Sequence, residues 1–133
     1  MNEEKIVGKV IIGSLKGNKQ GLGKDIVAAT LRAAGFQVVD LGVDVSPERF
    51  VDVVVQEKAR IIGISISVDE TVLFLRDVVN NLKRRKLRDK VGIVVGGQAV
   101  SERTCKEYGV DAHAKDALDC VKKVRRLLKL QKT

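Results

Sequence analysis

At 133 residues the chain has the length of one ordinary domain, able to bury a core without disulfides or a structural metal. A hydrophobic content of 44%, 12 glycines, one proline and no tryptophan exclude disordered and fibrous classes, and aromatics at 3% leave Val, Ile and Leu to build the core. The net charge of +8, from 25 basic and 17 acidic residues, raises nucleic acid as a partner, so where those charges fall along the chain matters.

In chain order, the opening MNEEKIVGKVIIG carries acidic residues and too short an apolar run for a signal peptide. No later segment approaches a membrane span, so a soluble, cytoplasmic protein is expected. Val7 to Gly13, Phe36 to Gly42, Arg60 to Ile66 and Val91 to Gly96 predict strands. Their Val and Ile are nearly continuous, as a parallel sheet covered on both faces requires. Between the first two, Ile26, Val27, Thr30, Leu31 and Ala34 form a helical stripe that Gly35 ends. After the second, Ser46 is placed to cap a helix with Pro47 at its first position and Phe50, Val51, Val54 and Val55 facing inward. A third helix is predicted from Glu70 to Lys86, through Val72, Leu75, Val78, Val79 and Leu82. A short fourth begins near Ser101, a brief fifth strand fits Val110 to His113, and Ala117 to Leu130 forms the last helix.

This β-α order, without linker or repeat, predicts one domain over 1–133: an α/β, flavodoxin-like, doubly wound five-stranded parallel sheet of Rossmann-like type. Ligands bind such sheets outside the carboxyl ends of the strands, where Ser14 to Leu22, Gly42 to Val45, Ser65 to Asp69 and Gly96 to Ala99 would gather. The fold alone does not choose the ligand. The basic residues cluster at Lys83, Arg84, Arg85, Lys86 and Arg88, and at Lys122, Lys123, Arg125, Arg126, Lys129 and Lys132. Cations late in a helix complement its dipole, and no aromatics interleave them to stack bases. Solvated helix faces or an acidic partner are therefore expected, and no nucleic acid. Cys105 and Cys120 lack CxxC spacing, which argues against a zinc site and a disulfide framework.

The loop GSLKGNKQGLGKD, residues 13–25, is the candidate ligand loop. A phosphate-binding P-loop needs GxxxxGK followed by Ser or Thr; here five residues separate Gly17 from Gly23, and Asp25 follows Lys24. A dinucleotide fingerprint would use Gly21 and Gly23 but meets Ile26 at its third glycine, although Asp40 stands where a ribose-binding acid could. A phospho-acceptor domain would place carboxylates where Ser14 and Lys16 stand, and Asp69 alone does not supply them. The single His113 lies far along the chain and no GxSxG elbow is present, so no self-sufficient hydrolytic site is visible.

The segments GNKQGLGKDIVAATLRAAGFQVVDLGVDVSPERFV, IIGISISVDET and VGIVVGGQAV resemble the cobalamin (vitamin B12) binding domain over Lys9 to Leu128. The likeness leans to the corrinoid proteins of methanol, methylamine and methoxyaromatic methyltransferase systems, with methionine synthase and the B12-dependent mutases further off. In that family a DxHxxG loop supplies a His to cobalt, oriented by the Asp. The resemblance puts Asn18 at the Asp position, Gln20 at the His position and Gly23 at the Gly, so only the glycine is kept. A neutral amide is a poor cobalt ligand, so no protein metal ligand is expected, with Gln20 occupying the cobalt-ligand position. A second signature lines the pocket for the cofactor's nucleotide tail and maps onto Ser65, Ser67 and Asp69; the third, a glycine pair against which the tail lies, maps onto Gly96 and Gly97.

The resemblance implies a cobalamin (corrinoid, cobalt) carrier, non-catalytic alone, that binds base-off without a His lower ligand and presents its cofactor to methyltransferase partner proteins. It also leaves open a degenerate relative that keeps the fold without cobalamin, whose space opposite Gln20 and Gly96 would be filled by side chains. A third reading is the small subunit of a mutase, which docks on a large catalytic subunit. The chain as given begins at the first strand, without the N-terminal helical bundle usual in the methyltransferase carriers. A homo-oligomer is compatible with all three readings, and no membrane partner is expected.

Overall fold

Val and Ile are stiff at χ1 and pack well on a pleated surface, and the four β-branched runs do form strands. The computed structural model describes residues 8–131; Val7 and Lys132, named above, lie outside them. The strands are β1 (Lys9–Ser14), β2 (Gln37–Asp40), β3 (Ile61–Ser65), β4 (Gly92–Gly96) and β5 (Ala112–His113). They pair in parallel in the order β2-β1-β3-β4-β5, the doubly wound, flavodoxin-like order. The helices are α1 (Leu22–Ala33), α2 (Pro47–Glu57), α3 (Phe74–Arg84), α4 (Glu102–Tyr108) and α5 (Ala117–Gln131).

Helix boundaries follow local chemistry. The Ser46 hydroxyl accepts from the Arg49 amide at 3.2 Å and Pro47 opens α2, as the sequence predicts. Gly35, at φ +100°, turns the chain out of α1 and lets the Phe36 amide reach the Leu31 carbonyl at 3.1 Å. One inward assignment changes: Val55 of α2 is exposed while Val53 is buried. In the α1 stripe, Ile26 is 51% exposed. The predicted third helix starts later, at Phe74, because Asp69–Thr71 form a separate 3-10 turn as the chain leaves β3.

Alternation along the strands divides the core into two layers. Ile11, Ile62, Ile64, Ile93 and Val95 meet Phe50, Val51 and Val54 of α2 and Leu75, Val78 and Leu82 of α3. Val10, Ile12, Ile61 and Val94 meet Leu31 of α1 and Cys120, Val121 and Val124 of α5. Each such side chain contributes about 1.5–3 kcal/mol through burial, so the two layers anchor the sheet from both sides.

The α1/α5 face changes character along the strands. One register row crosses it as Ile12, Gly63 and Val94; the next toward the carboxyl ends is Ser14, Ser65 and Gly96. Small residues at these alternate positions leave room beneath the first turns of α1 and α5.

Candidate functional site

That room is a cavity of about 450 Å³ between the carboxyl half of the sheet and the N-terminal ends of α1 and α5. Its sheet side is Ile12, Gly63, Ser65, Val94 and Gly96; its helix sides are Gly23, Lys24 and Val27 from α1, and Ala117 and Cys120 from α5. Gln20, Ser67, Gly97, Gln98, Lys115 and Asp116 stand among its other lining residues. Six of the eight residues singled out from the sequence therefore meet here: Gln20, Gly23, Ser65, Ser67, Gly96 and Gly97.

Asn18 and Asp69 are not among the lining residues. Asn18 is buried behind the loop, where its Nδ2 donates to the Ser65 carbonyl at 3.1 Å and its Oδ1 accepts from the Gln20 amide at 3.2 Å. It ties the loop to the end of β3. Asp69 heads the 3-10 turn that carries the chain toward α3, whose apolar side chains pack on the opposite face of the sheet.

The strand-end loops converge as the topology requires. Ser14 N donates to Gly42 O at 2.9 Å, Leu15 N to Ser65 O at 3.2 Å, Asp44 N to Asn18 O at 3.0 Å and Ile66 N to Gly96 O at 2.9 Å. Residue 20 is gripped at both backbone ends, since Ser14 Oγ also donates to the Gln20 carbonyl at 3.0 Å. Its backbone is thus fixed at the cavity rim.

The glycines divide into two kinds. Gly97 has φ +116°, and a Cβ there would lie 2.2 Å from the Ile66 carbonyl oxygen, so the packing of the β4 loop on β3 already requires glycine. Gly23 differs: it is the second residue of α1, its φ is not positive, and no described heavy atom beyond its chain neighbours and its own helix backbone lies within 4 Å of where a Cβ would sit. A Cβ there would project into space that the cavity otherwise keeps.

Lys24 is the residue whose role is least visible in the sequence. Its amine, 5% exposed, donates to Asp40 Oδ2 at 2.7 Å, Asp40 Oδ1 at 2.9 Å and Asp25 Oδ1 at 2.6 Å. Burial alone would lower its pKa, but hydrogen bonds and charge from Asp25 and Asp40 outweigh that and raise it, so the amine stays charged. Asp40 also accepts from the Gly42 amide at 2.9 Å. This carboxylate therefore locks α1 to the end of β2, which is the structural part played by the acid that resembled a ribose ligand. Of the other loop lysines, Lys16 lies over the Phe74 ring at 5.3 Å, toward α3, while Lys19 is exposed.

The buried end of the cavity is apolar, with Ile12, Val94, Ala114 and Cys120 all buried. The Cys120 thiol is pushed up to about 11 by burial, with the Asp119 charge adding to it, so it is a neutral wall group and not a nucleophile. Among the described residues no group of three or more His, Cys, Asp or Glu could hold a metal ion, and no helix is long and apolar enough to cross a membrane. The basic ends of the helices have local duties: Arg85 pairs with Asp52 at 2.7 Å, and Arg88 donates to the Val91 and Gly109 carbonyls at 2.9 and 2.7 Å.

A doubly wound sheet with a slot at its switch point, roofed by the first turns of two helices, defines an α/β ligand-binding domain of flavodoxin-like order. The sequence profile described as the B12 binding domain matches residues 8–122, and the chain belongs to that family. It is 39% identical over 127 residues to trimethylamine corrinoid protein 1 of Methanosarcina acetivorans, covering 96% of this chain and 59% of that protein. The structure of the Methanosarcina barkeri monomethylamine corrinoid protein matches it with a TM-score of 0.87 at 32% identity, over 95% of this chain and 60% of the other. A chain of the methanol:cobalamin methyltransferase complex from the same organism matches with a TM-score of 0.85 at 26% identity, over 96% and 51% of the two chains. The chain thus spans about 59% of the length of the first corrinoid protein it matches.

The site fits cobalamin in part. An apolar slot with Gly23 and Gly63 in its walls suits a flat heterocyclic tail, and the space at Gly23 is what a ligand there needs. Position 20, where the resemblance puts the family's cobalt-binding imidazole, is Gln. The filled space expected of a degenerate relative is not observed, since the cavity is open beside Gln20 and Gly96.

Sequence reasoning reached the glycines and strand ends but missed the wall residues. Gly63, a glycine inside the strand IIGIS, was the available signal, since an interior strand glycine marks a close approach. Ala117 and Cys120, three apart at the start of a helix, share a face, but nothing in the sequence says which face looks into the slot.

Proposed function

We propose that this chain is the corrinoid-binding domain of a carrier in a corrinoid-dependent methyl-transfer system, holding cobalamin base-off with its tail in the slot and no histidine below the cobalt. The observation that carries this reading is Gly23. Glycine in a helix costs about 0.5–1 kcal/mol relative to alanine, and neither backbone angle nor neighbouring atoms call for it here. Its one structural effect is to keep the slot wall open.

When bound, the corrinoid supplies the methyl-carrying chemistry. The chain's own residues bind and orient. Ser14 and Asn18 fix the backbone of residue 20 at the rim; Ser65 and Ser67 offer hydroxyls near the mouth; Ile12, Val94 and Cys120 exclude water from the slot's end. With a Gln at position 20, the chain would offer a bound corrinoid a neutral amide there and no imidazole. The chain alone performs no reaction, and methyltransferase proteins deliver and remove the methyl group. The names of the similar trimethylamine and dimethylamine corrinoid proteins support this assignment of partners, as does the likeness to a chain of the methanol:cobalamin methyltransferase complex.

Mixing the purified chain with hydroxocobalamin and separating by gel filtration tests the reading. A corrin spectrum of base-off form should elute with the protein. Protein eluting at micromolar loading with no corrin band sinks the proposal.

A further inference from the structure

The slot runs from a mouth where exposed Leu22 and Ile26 stand beside polar side chains to a buried apolar end, and the two ends make different demands on a ligand. Gln98, Lys115 and Asp116 line it as exposed residues, whereas Ile12, Val94, Ala114 and Cys120 are buried. The strand backbone at the closed end is already engaged in the sheet. Ile12, Gly63 and Val94 are consecutive partners across β1, β3 and β4, and the Ala114 amide donates to Val95 O at 2.9 Å. Among Ile12, Val94, Ala114 and Cys120 the only hydrogen-bonding side chain is the Cys120 thiol, a weak donor and a weak acceptor; the buried Lys24 amine also lines the slot but is taken up by Asp25 and Asp40.

From this gradient we infer that the slot selects among corrinoids by the base of the nucleotide tail, accepting an apolar benzimidazole and discriminating against adenine. Adenine brings an exocyclic amine and further ring nitrogens, and at the apolar end these lose water without gaining partners. The inference rests on the cobalamin reading above and assigns Val94 and Cys120 as the specificity-determining residues. Leaving a buried polar group unpaired should weaken binding by on the order of tenfold to a hundredfold.

The test compares three probes on the full chain under strong reductant, as cob(I)amides, in which cobalt holds no axial ligand and neither tail is coordinated. They are the dimethylbenzimidazole form, the adenine form and tail-less cobinamide, each titrated anaerobically by its visible spectrum. The benzimidazole form should bind at least about tenfold tighter than the adenine form, with cobinamide also weaker. Cys120→Ser, which places a full hydroxyl at the closed end, should narrow that preference, and Val94→Thr should do the same by an independent route. Circular dichroism confirms that each variant is folded. Equal affinity for the two tailed forms overturns the inference while leaving cobalamin binding intact. An unchanged preference in both variants overturns the assignment to this end of the slot. Failure of all three corrinoids to bind overturns the cobalamin reading, and the inference with it.

Discussion

Replacing Gly23 should move stability and ligand affinity in opposite directions. The residue is the second of α1 with no positive φ, and a Cβ placed on it meets no described atom within 4 Å beyond its chain neighbours and its own helix backbone. Gly23→Ala should therefore stabilise the free chain by about 0.4–1 kcal/mol, largely by restricting the unfolded chain. For a domain of this size that is a rise of about 1–4 °C in Tm. The same methyl group stands in the slot wall, so cobalamin affinity should fall, and Gly23→Leu, whose branched end extends further into the slot, should abolish binding while melting no lower than the natural chain by more than about 1 kcal/mol. Thermal melts followed by circular dichroism measure the first effect, and spectral titration with cobalamin the second. Should Gly23→Leu bind cobalamin as well as the natural chain, the slot is not where the tail lies; should Gly23→Ala lower Tm, the space beside Gly23 is misread.

Three further outcomes follow from contacts around the site. Lys24→Met should destabilise the chain by about 1–2 kcal/mol in urea, between an exposed and a buried ion pair, because Asp40 loses its principal partner. Since the Lys24 pKa is raised, that contribution is fully present below the ordinary lysine value of 10.5 and fades as pH rises through the higher folded value. The natural and variant stability curves should stay parallel through neutral pH and converge only in strong alkali; convergence near neutrality contradicts the ion pair. Gly97→Ala should cost at least about 2 kcal/mol in urea, from a Cβ 2.2 Å from Ile66 O at φ +116°, even though Gly97 lines the slot as Gly23 does. A near-neutral Gly97→Ala would show that the β4 loop is free to shift. Cys120, at 4% exposure and raised to about 11, should resist thiol reagents at pH 8 in the folded chain and react only on unfolding, as read by a thiol titration with and without denaturant.

The fold was largely legible in the sequence because the signals were local and redundant. Continuous Val and Ile runs mark strands covered on both faces, Ser46 with Pro47 marks a helix start, and the β-α order admits few topologies. The site was legible at its backbone and obscure at its walls. Gly96, Gly97 and Gly23 announce themselves by type. The apolar stripe on α1 includes Ile26, which lines the cavity, because helical spacing cannot distinguish a residue facing a core from one facing a cavity that interrupts it. Lys24 reads as one more surface lysine until Asp40, 16 positions later, is brought beside it by the pairing of β1 with β2. Asp69 shows the converse: close in sequence to Ser65 and Ser67, it leaves with the turn toward α3, on the other side of the sheet.

The electron paramagnetic resonance spectrum of the protein loaded with cobalamin and reduced to the cob(II) state tests the central claim most directly. Displacement of the tail base and the Gln at position 20 together predict a protein-bound cob(II) signal without the three-line splitting that a nitrogen ligand imposes, and Gln20→His should introduce that splitting. A nitrogen triplet in the natural chain, or a cob(II) signal that does not travel with the protein, would contradict a tail seated in the slot with no histidine beneath the cobalt.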